Sequence, residues 1–129
     1  MENFRNFTCG PDPFGRTWQV WFKWLQTAIS IRHSDSVDAK FIVESGEEIL
    51  SRVVSMPHPV LRELSTDLHV TMSDSWCSRL AMQHLQHLIL SGEDMEKDLV
   101  TPSSQQLLEY AQNEKRWEQS EISKRRGAA

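Results

Sequence analysis

The feature that most constrains this chain is a run of alternating side chains over residues 17–56. At its start, a period of two separates the side chains into two faces. One face takes Trp18, Val20, Phe22 and Trp24, and the other takes Gln19, Trp21 and Lys23. A period of 3.6 also fits, because it gathers a helical stripe of Trp18, Trp21, Phe22, Leu25 and Ile29. Aromatic and β-branched residues dominate the stretch, which favours a strand over residues 17–25.

Three further stretches continue this alternation and are separated by turn residues. They cover residues 27–32, 37–44 and 49–56, with polar turns at 33–36 and at Ser45-Gly46. A parallel pair of strands needs a long crossover connection, and these connections are too short for one. The sequence therefore predicts about four strands, each antiparallel to the next.

Helices are predicted in the second half of the chain. Pro57 ends the last strand, and a short helix follows over residues 59–65. Ser73 is an N-cap signal for a helix that runs from about 74 to 90 and ends at Gly92. One face of this helix is apolar and predicted to be buried: Cys77, Leu80, Ala81, His84, Leu85 and Leu88.

A last helix is predicted over residues 102–120, with Pro102 in its first turn. It would pack against the domain through Leu107, Leu108, Tyr110, Ala111 and Trp117. We predict an α+β fold, with an N-terminal antiparallel β-meander of about four strands followed by two to three helices packed on one face. An irregular N-terminal arm (1–16) would precede a single domain (17–120), and a frayed polar tail (121–129) would follow it.

The composition limits the cellular location and the kinds of binding partner that we expect. The chain has 129 residues and a net charge of -4, which suits one soluble domain and disfavours binding to nucleic acid. Cys9 and Cys77 are far apart and form no CxxC motif, as expected for reduced thiols in the cytoplasm. No apolar run approaches the ~20 residues of a membrane span, and the N-terminus lacks the apolar core of a secretory signal. We expect a cytoplasmic protein with neither nucleic acid nor membrane as partner.

Common catalytic motifs are absent from the sequence. It has no P-loop, GxGxxG, GxSxG or HExxH motif and no zinc-ligand spacing. We therefore expect no cofactor and no metal, and we favour a non-catalytic role. An enzyme with a dispersed active site stays compatible with these absences.

Polar residues at turns and on the central helix are the candidates for ligand contact. They are His33, Asp35, Asp38, His58 and His84. His84 and His87 are three positions apart on the predicted helix, so that their rings could converge on one ion. The alternative is that His84 is a hydrogen-bonded core residue and that the hairpin residues form a solvated turn. Cys77 lies in the first helical turn, where thiols are activated, but its place on the apolar face favours a structural role.

The tryptophans are the least ordinary feature of the sequence. Trp18, Trp21 and Trp24 lie within seven residues, and on a strand Trp21 faces away from the other two. Both faces of the sheet would then carry a large ring, and the second face needs a cover from the N-terminal arm, a partner subunit or a ligand. Candidate interface residues are Phe4, Phe7, Phe14 and Trp21.

Two functional hypotheses follow from these patterns. The first is a non-catalytic interaction domain that self-associates, as a homodimer, through the aromatic sheet face or the N-terminal arm. The second is a small-molecule-binding or hydrolytic domain with a pocket between sheet and helices, lined by His33, Asp35, His58 and His84.

Overall fold

A computed structural model describes residues 5–28 and 35–127, with the backbone alone for residue 28 and residues 120–127. Within these ranges the chain forms five strands and three helices. In chain order they are β1 (Asn6–Cys9), β2 (Trp18–Ala28), β3 (Ser36–Ser45), β4 (Glu48–Pro57), α1 (His58–Leu68), α2 (Asp74–Ser91), β5 (Leu99–Val100) and α3 (Ser104–Gly127). The predicted α+β class, with strands first and helices afterwards, is confirmed.

The described strands form one sheet in the order β1-β2-β3-β4-β5. β1 to β4 are a meander of antiparallel neighbours, as the short connections predict. β5 pairs with β4 in parallel, which is possible because α1 and α2 supply the long crossover. The sequence analysis did not anticipate β5, since a strand of two residues has no periodicity to detect.

The N-terminal arm is a strand where an irregular segment was predicted. Phe7 pairs with Val20 and Cys9 pairs with Trp18, and both arm residues are buried. The prediction for residues 1–16 was therefore wrong at 6–9. Four residues are too few to show an alternation, and the strand forms because the edge of β2 offers backbone partners. The arm thus extends the sheet at its edge.

The helices α1 and α2 pack against one face of the sheet, and α3 packs against those two helices. The buried side chains of this inner face alternate along the strands as predicted. They include Val20, Val37, Ala39, Phe41, Val43, Val54 and Met56. The predicted stripe of α2 covers them, and all six of its residues are buried.

The ends of α2 follow from its capping residues. Ser73 accepts a hydrogen bond at its Oγ from the backbone N–H of Trp76, at 3.1 Å. Gly92 adopts a left-handed φ of 75° and donates its N–H to the carbonyl of Leu88. Glycine takes this conformation without the steric cost of a Cβ atom, so the helix ends where the sequence predicted.

Three boundaries differ from the predictions. β2 is a single strand where two were expected over 17–25 and 27–32, and residues 29–34 lie outside the described ranges. α1 continues to Leu68, beyond the predicted end at 65. α3 continues to Gly127, so the tail predicted to fray from 121 is helical over most of its length. Glu, Lys and Arg are good helix formers, which accounts for the extension.

Candidate functional site

A β-bulge in β2 decides which tryptophans share a face of the sheet. Phe22 lies opposite Phe41 of β3, and the next residue of β3, Lys40, lies opposite Trp24. Lys23 therefore has no partner in β3, and the extra residue inverts the alternation.

The consequence is that Trp24 lies on the same side of the sheet as Trp21. The prediction that Trp24 shares a face with Trp18, Val20 and Phe22 was wrong, because the bulge reverses the pattern after Phe22. Leu25, opposite Ala39, takes the inward position.

We call the side of the sheet opposite α1 and α2 the open face. Its side chains lie in rows across the strands, set by the register of the pairs. Successive rows are Gln19, Glu44 and Ile49; Trp21, Ile42 and Ser51; Trp24, Lys40, Val53 and Leu99; and Gln26, Asp38 and Ser55. Trp21 is 40% exposed, Ile49 63% and Leu99 55%, whereas the core tryptophan Trp18 is fully buried. The open face therefore presents exposed and half-buried apolar side chains, two tryptophans among them, with polar side chains between them.

A lysine contributes to this surface at its centre. The Nζ atom of Lys40 lies 6.0 Å from the ring centroid of Trp24, in the range of a cation–π contact. Lys40 and Glu44 occupy the same strand on either side of Ile42, all three half-buried. The middle of the open face therefore combines apolar groups with one charge of each sign.

The four predicted interface residues are not in one place. Trp21 lies on the open face, and Phe14, at 82% exposure, lies in the loop between β1 and β2. Phe7 is buried in the core, which corrects its assignment to an interface. Phe4 lies outside the described residues.

His84 is a buried residue in the contact between α2 and α3. Its Nδ1 atom lies 2.9 Å from the hydroxyl of Tyr110, and the side chain is 3% exposed. Burial, together with the nearby His87 and against an opposing effect of Asp94, lowers the pKa of His84 to about 4. The ring is therefore neutral at pH 7 and acts as a hydrogen-bonded core group.

The other predicted ligand residues do not converge with His84. His58 begins α1, and its backbone N–H donates to the carbonyl of Asp35 at 2.8 Å. Asp38 accepts a hydrogen bond from the Ser36 hydroxyl at 2.9 Å, and His33 lies outside the described residues. Asp35, Asp38 and His58 therefore lie where β3 and α1 begin, whereas His84 lies between α2 and α3.

A different cleft lies where the sheet meets the first turns of α1 and α2. It has a volume of about 280 Å³, and its lining includes Leu25, Val37, His58, Met72, Asp74 and Cys77. Burial, with the charge of Asp74, raises the pKa of Cys77 to about 11. The thiol is therefore protonated at neutral pH and is not an activated nucleophile.

No family model, curated protein or solved structure matches this chain. Among the described residues, no three His, Cys, Asp or Glu side chains are arranged so that they could hold a metal ion. None of the helices in the described part of the chain is both long and apolar enough to cross a bilayer.

A polar network links α2 to α3, and the sequence analysis missed it. Arg79 donates from Nε to Glu114 at 2.8 Å, and Gln83 donates to Glu114 at 3.3 Å and to the carbonyl of Tyr110 at 3.0 Å. Glu114 is buried, as is Gln83. Glu114 follows Tyr110 and Ala111 by four and three positions, so its place on the buried stripe was the available signal.

A second cleft, of about 390 Å³, lies beside this network. Arg79, Glu114, Lys115 and Trp76 are among its lining residues. Arg79 is paired with Glu114, and Lys115 donates to the carbonyl of Leu68 at 2.6 Å. The buried indole N–H of Trp76 has no hydrogen-bond partner within the described chain. The cleft carries both signs of charge, already engaged in internal contacts.

Arg52 is a buried cation on the inner face of β4. Its guanidinium donates from Nε to the carbonyl of Met95 at 3.1 Å and from Nη1 to the carbonyl of Ser51 at 2.7 Å, with exposed Asp98 at 3.4 Å. The bonds to Met95 and Asp98 hold the acidic loop after α2 against the sheet. The sequence signal was available, because Arg52 shares its alternation with the apolar residues Val54 and Met56.

Asp12 organises the loop between β1 and β2. One carboxylate oxygen accepts from the backbone N–H groups of Phe14 and Arg16, at 2.9 and 2.8 Å. The other accepts from Arg16 Nε and from the Trp18 indole, both at 3.0 Å. Burial by itself would raise the pKa of Asp12, but the hydrogen bonds from Trp18, Arg16 and Phe14 outweigh it and lower the pKa to about 2.

Proposed function

We propose that this protein is a non-catalytic interaction domain that associates with a second copy of itself through the open face of its sheet. The observation that carries the proposal is that Trp21 and Trp24 share that face because of the bulge at Lys23. Exposed aromatic and aliphatic groups gathered on one surface are typical of protein contacts.

The face is a better contact surface than the edges of the sheet. β1 covers only part of β2 and β5 only part of β4, so each edge of the sheet is stepped and lacks the long continuous strand edge that another strand would need. The side chains of β2, β3 and β4, which have 10 or 11 residues each, present a much larger surface.

The dimensions of the face set the expected affinity. Three strands of about ten residues span roughly 14 Å by 33 Å, or about 460 Å², before β1 and the relief of the side chains are added. Standard interfaces bury about 800 Å² on each partner. We therefore expect a reversible dimer with a dissociation constant in the micromolar range.

The charges of the face favour a second copy as the partner. The whole chain carries a net charge of -4, so two copies repel each other on approach, and the surface through which they meet has to offset this repulsion. Lys40 and Glu44 lie on either side of Ile42, with the further acidic residue Asp38 two positions beyond Lys40, so two copies can set opposite charges against each other there. A strongly acidic or basic partner gains nothing from a surface that carries both signs of charge.

The test is sedimentation velocity of the full chain over about 2 to 200 µM, a range that brackets the expected affinity. We compare the wild type with Trp21→Thr and Trp24→Thr, which keep β-propensity on the strand. The control is Trp117→Gln, because Trp117 on α3 is also 40% exposed. We expect the two sheet variants to remain monomeric where the wild type and the control dimerise.

Two results contradict the proposal. One is a wild type that stays monomeric at the highest concentration. The other is a dimer that Trp117→Gln weakens as much as Trp21→Thr does. Circular dichroism of each variant checks that the fold is kept.

A second candidate function is the binding of a small polar molecule in the cleft that contains His58 and Cys77. The observation in its favour is a volume of about 280 Å³ between sheet and helices, close to the lower limit of about 300 Å³ for ligand sites. The protonated Cys77 favours binding over nucleophilic catalysis. Amide NMR spectra titrated with small carboxylates and amines test it: shifts confined to residues 25–27, 58 and 72–77 support it, and their absence contradicts it.

A further inference from the structure

Three residues of the open face form a self-complementary pattern, with opposite charges at equal distances from a central apolar residue. β3 is the middle strand of the sheet, and Lys40, Ile42 and Glu44 lie on its open side in steps of two. The basic and acidic positions are therefore equally far from Ile42, about 6.6 Å on each side at 3.3 Å per residue.

A dimer with two-fold symmetry presents the same patch on both copies, so the patch must complement itself. Two sheets that meet face to face require an axis that lies between them. One such axis runs perpendicular to the strands, directly above Ile42. Rotation about it places each strand over the same strand of the other copy, with the two running in opposite directions. Each residue then faces the one at equal distance on the other side of Ile42.

From this geometry we infer that the two copies pack with their β3 strands antiparallel, so that Lys40 of each copy faces Glu44 of the other. The inference rests on the proposed self-association through the open face. It adds the relative orientation of the two copies and the residues that select it.

The neighbouring strands agree with this orientation. Trp21, level with Ile42 on β2, meets the same tryptophan of the second copy. On β4, Val53 is level with Lys40 and Ile49 is level with Glu44, so these two apolar residues face each other. The orientation thus places Trp21 against Trp21 and Val53 against Ile49, sets Trp24 opposite Gln19, and exchanges the charges of Lys40 and Glu44.

The other face-to-face orientation is disfavoured by the same residues. An axis parallel to the strands would leave β3 of the two copies parallel, with lysine opposite lysine and glutamate opposite glutamate. Two pairs of like charges would then be buried together, which costs free energy at an interface. The cation–π contact with Trp24 keeps the ammonium of Lys40 on the open face, where either arrangement would have to accommodate it.

The experiment exchanges the charges in full-length protein and measures dimerisation by sedimentation velocity. Lys40→Glu and Glu44→Lys each place like charges opposite one another, so we expect each to weaken the dimer about tenfold or more. The double variant Lys40→Glu/Glu44→Lys restores the wild-type affinity. An equimolar mixture of the two single variants forms a heterodimer at concentrations where each alone is monomeric.

Charge controls on other surfaces separate this effect from net charge. Glu63→Lys on α1 and Lys97→Glu in the loop after α2 change the net charge equally, and both residues are exposed. We expect each to leave the dimer within about twofold of wild type.

The outcomes distinguish this inference from the proposed function. If Trp21→Thr abolishes the dimer but the charge variants neither weaken it nor rescue one another, the interface stands and the antiparallel orientation is wrong. If the wild type does not dimerise, both are wrong. Recovery of the dimer in the double variant and in the mixture supports both.

Discussion

The Nδ1 atom of His84 lies 2.9 Å from the hydroxyl oxygen of Tyr110, inside the contact between α2 and α3. The two polar groups satisfy one another where water does not reach. A buried imidazole without such a partner would cost free energy, so each residue accounts for the presence of the other. The pair joins α2 to α3 through one buried hydrogen bond.

Replacing Tyr110 with Phe should destabilise the protein by about 1–3 kcal/mol, because it leaves His84 Nδ1 buried without its partner. Urea denaturation measures the free energy of unfolding. In a His84→Leu background the same replacement should cost much less, since nothing is left unpaired. Equal costs in the two backgrounds would show that the hydrogen bond contributes nothing.

Stability should depend on pH through His84. Its pKa is about 4 in the folded protein and 6.5 in the unfolded chain, so the unfolded state binds more protons between these values. Stability is therefore complete above pH 6.5 and falls as the pH is lowered to about 4, by on the order of 3 kcal/mol. Urea titrations from pH 7.5 to 4 at constant salt measure it, and His84→Leu should remove this slope.

Asp12 gives a second and separate acid response. Its pKa is lowered to about 2, so the stability it contributes is present above its ordinary pKa of 3.8 and is lost as the pH falls from there towards 2. Asp12→Asn should lower the thermal midpoint at pH 7 and flatten the decline below pH 4. The exposed Asp67→Asn on α1 is the control, and an equal effect of both would contradict a special role for Asp12.

Arg52→Lys should destabilise the protein by about 1–3 kcal/mol, although the charge is kept. An ammonium cannot reproduce the several hydrogen bonds that the guanidinium makes to the carbonyls of Met95 and Ser51. Amide hydrogen exchange should also quicken in the loop over 94–98. The exposed Arg62→Lys is the control and should change stability by less than about 0.5 kcal/mol. Slow exchange in the loop of the Arg52 variant would contradict its anchoring role.

Deletion of Lys23 should be tolerated, although it removes a residue from the middle of a strand. Lys23 has no partner in β3, so its loss brings Phe22 and Trp24 into regular pairing with Phe41 and Lys40. Deletion of Lys40 instead shifts every later side chain of β3 to the other face and should prevent folding. Circular dichroism and thermal melts compare the two, and an unfolded Lys23 deletion would contradict the bulge.

Local signals in the sequence were sufficient where the structure depends on neighbours in the chain. Ser73 and Gly92 predicted both ends of α2, and the alternation of β3 predicted which of its side chains are buried. The bulge at Lys23 was out of reach, because it is a property of the pairing between β2 and β3. Because the bulge was not predicted, Trp24 was assigned to the wrong face of the sheet.

Partners distant in sequence also explain the functional residues that were missed. The alternation of Arg52 with Val54 and Met56 already placed it on the inner face, but its acceptor Met95 lies 43 residues away and could not be read from the sequence. His84 is a similar case. Its place on an apolar stripe already indicated a buried residue with a partner, and only the identity of Tyr110 required the structure.

The two outer strands of the described sheet come from parts of the chain that are far from each other, β1 at the start of the meander and β5 after α2. On the ribosome, the middle of the outer edge of β4, at Val53 and Val54, stays unpaired while some forty further residues emerge, until Leu99 and Val100 arrive. A nascent chain that stalls in this interval presents a free strand edge, which is a template for aggregation. Truncations that end before residue 99 should therefore be poorly soluble for a reason unrelated to the loss of α3.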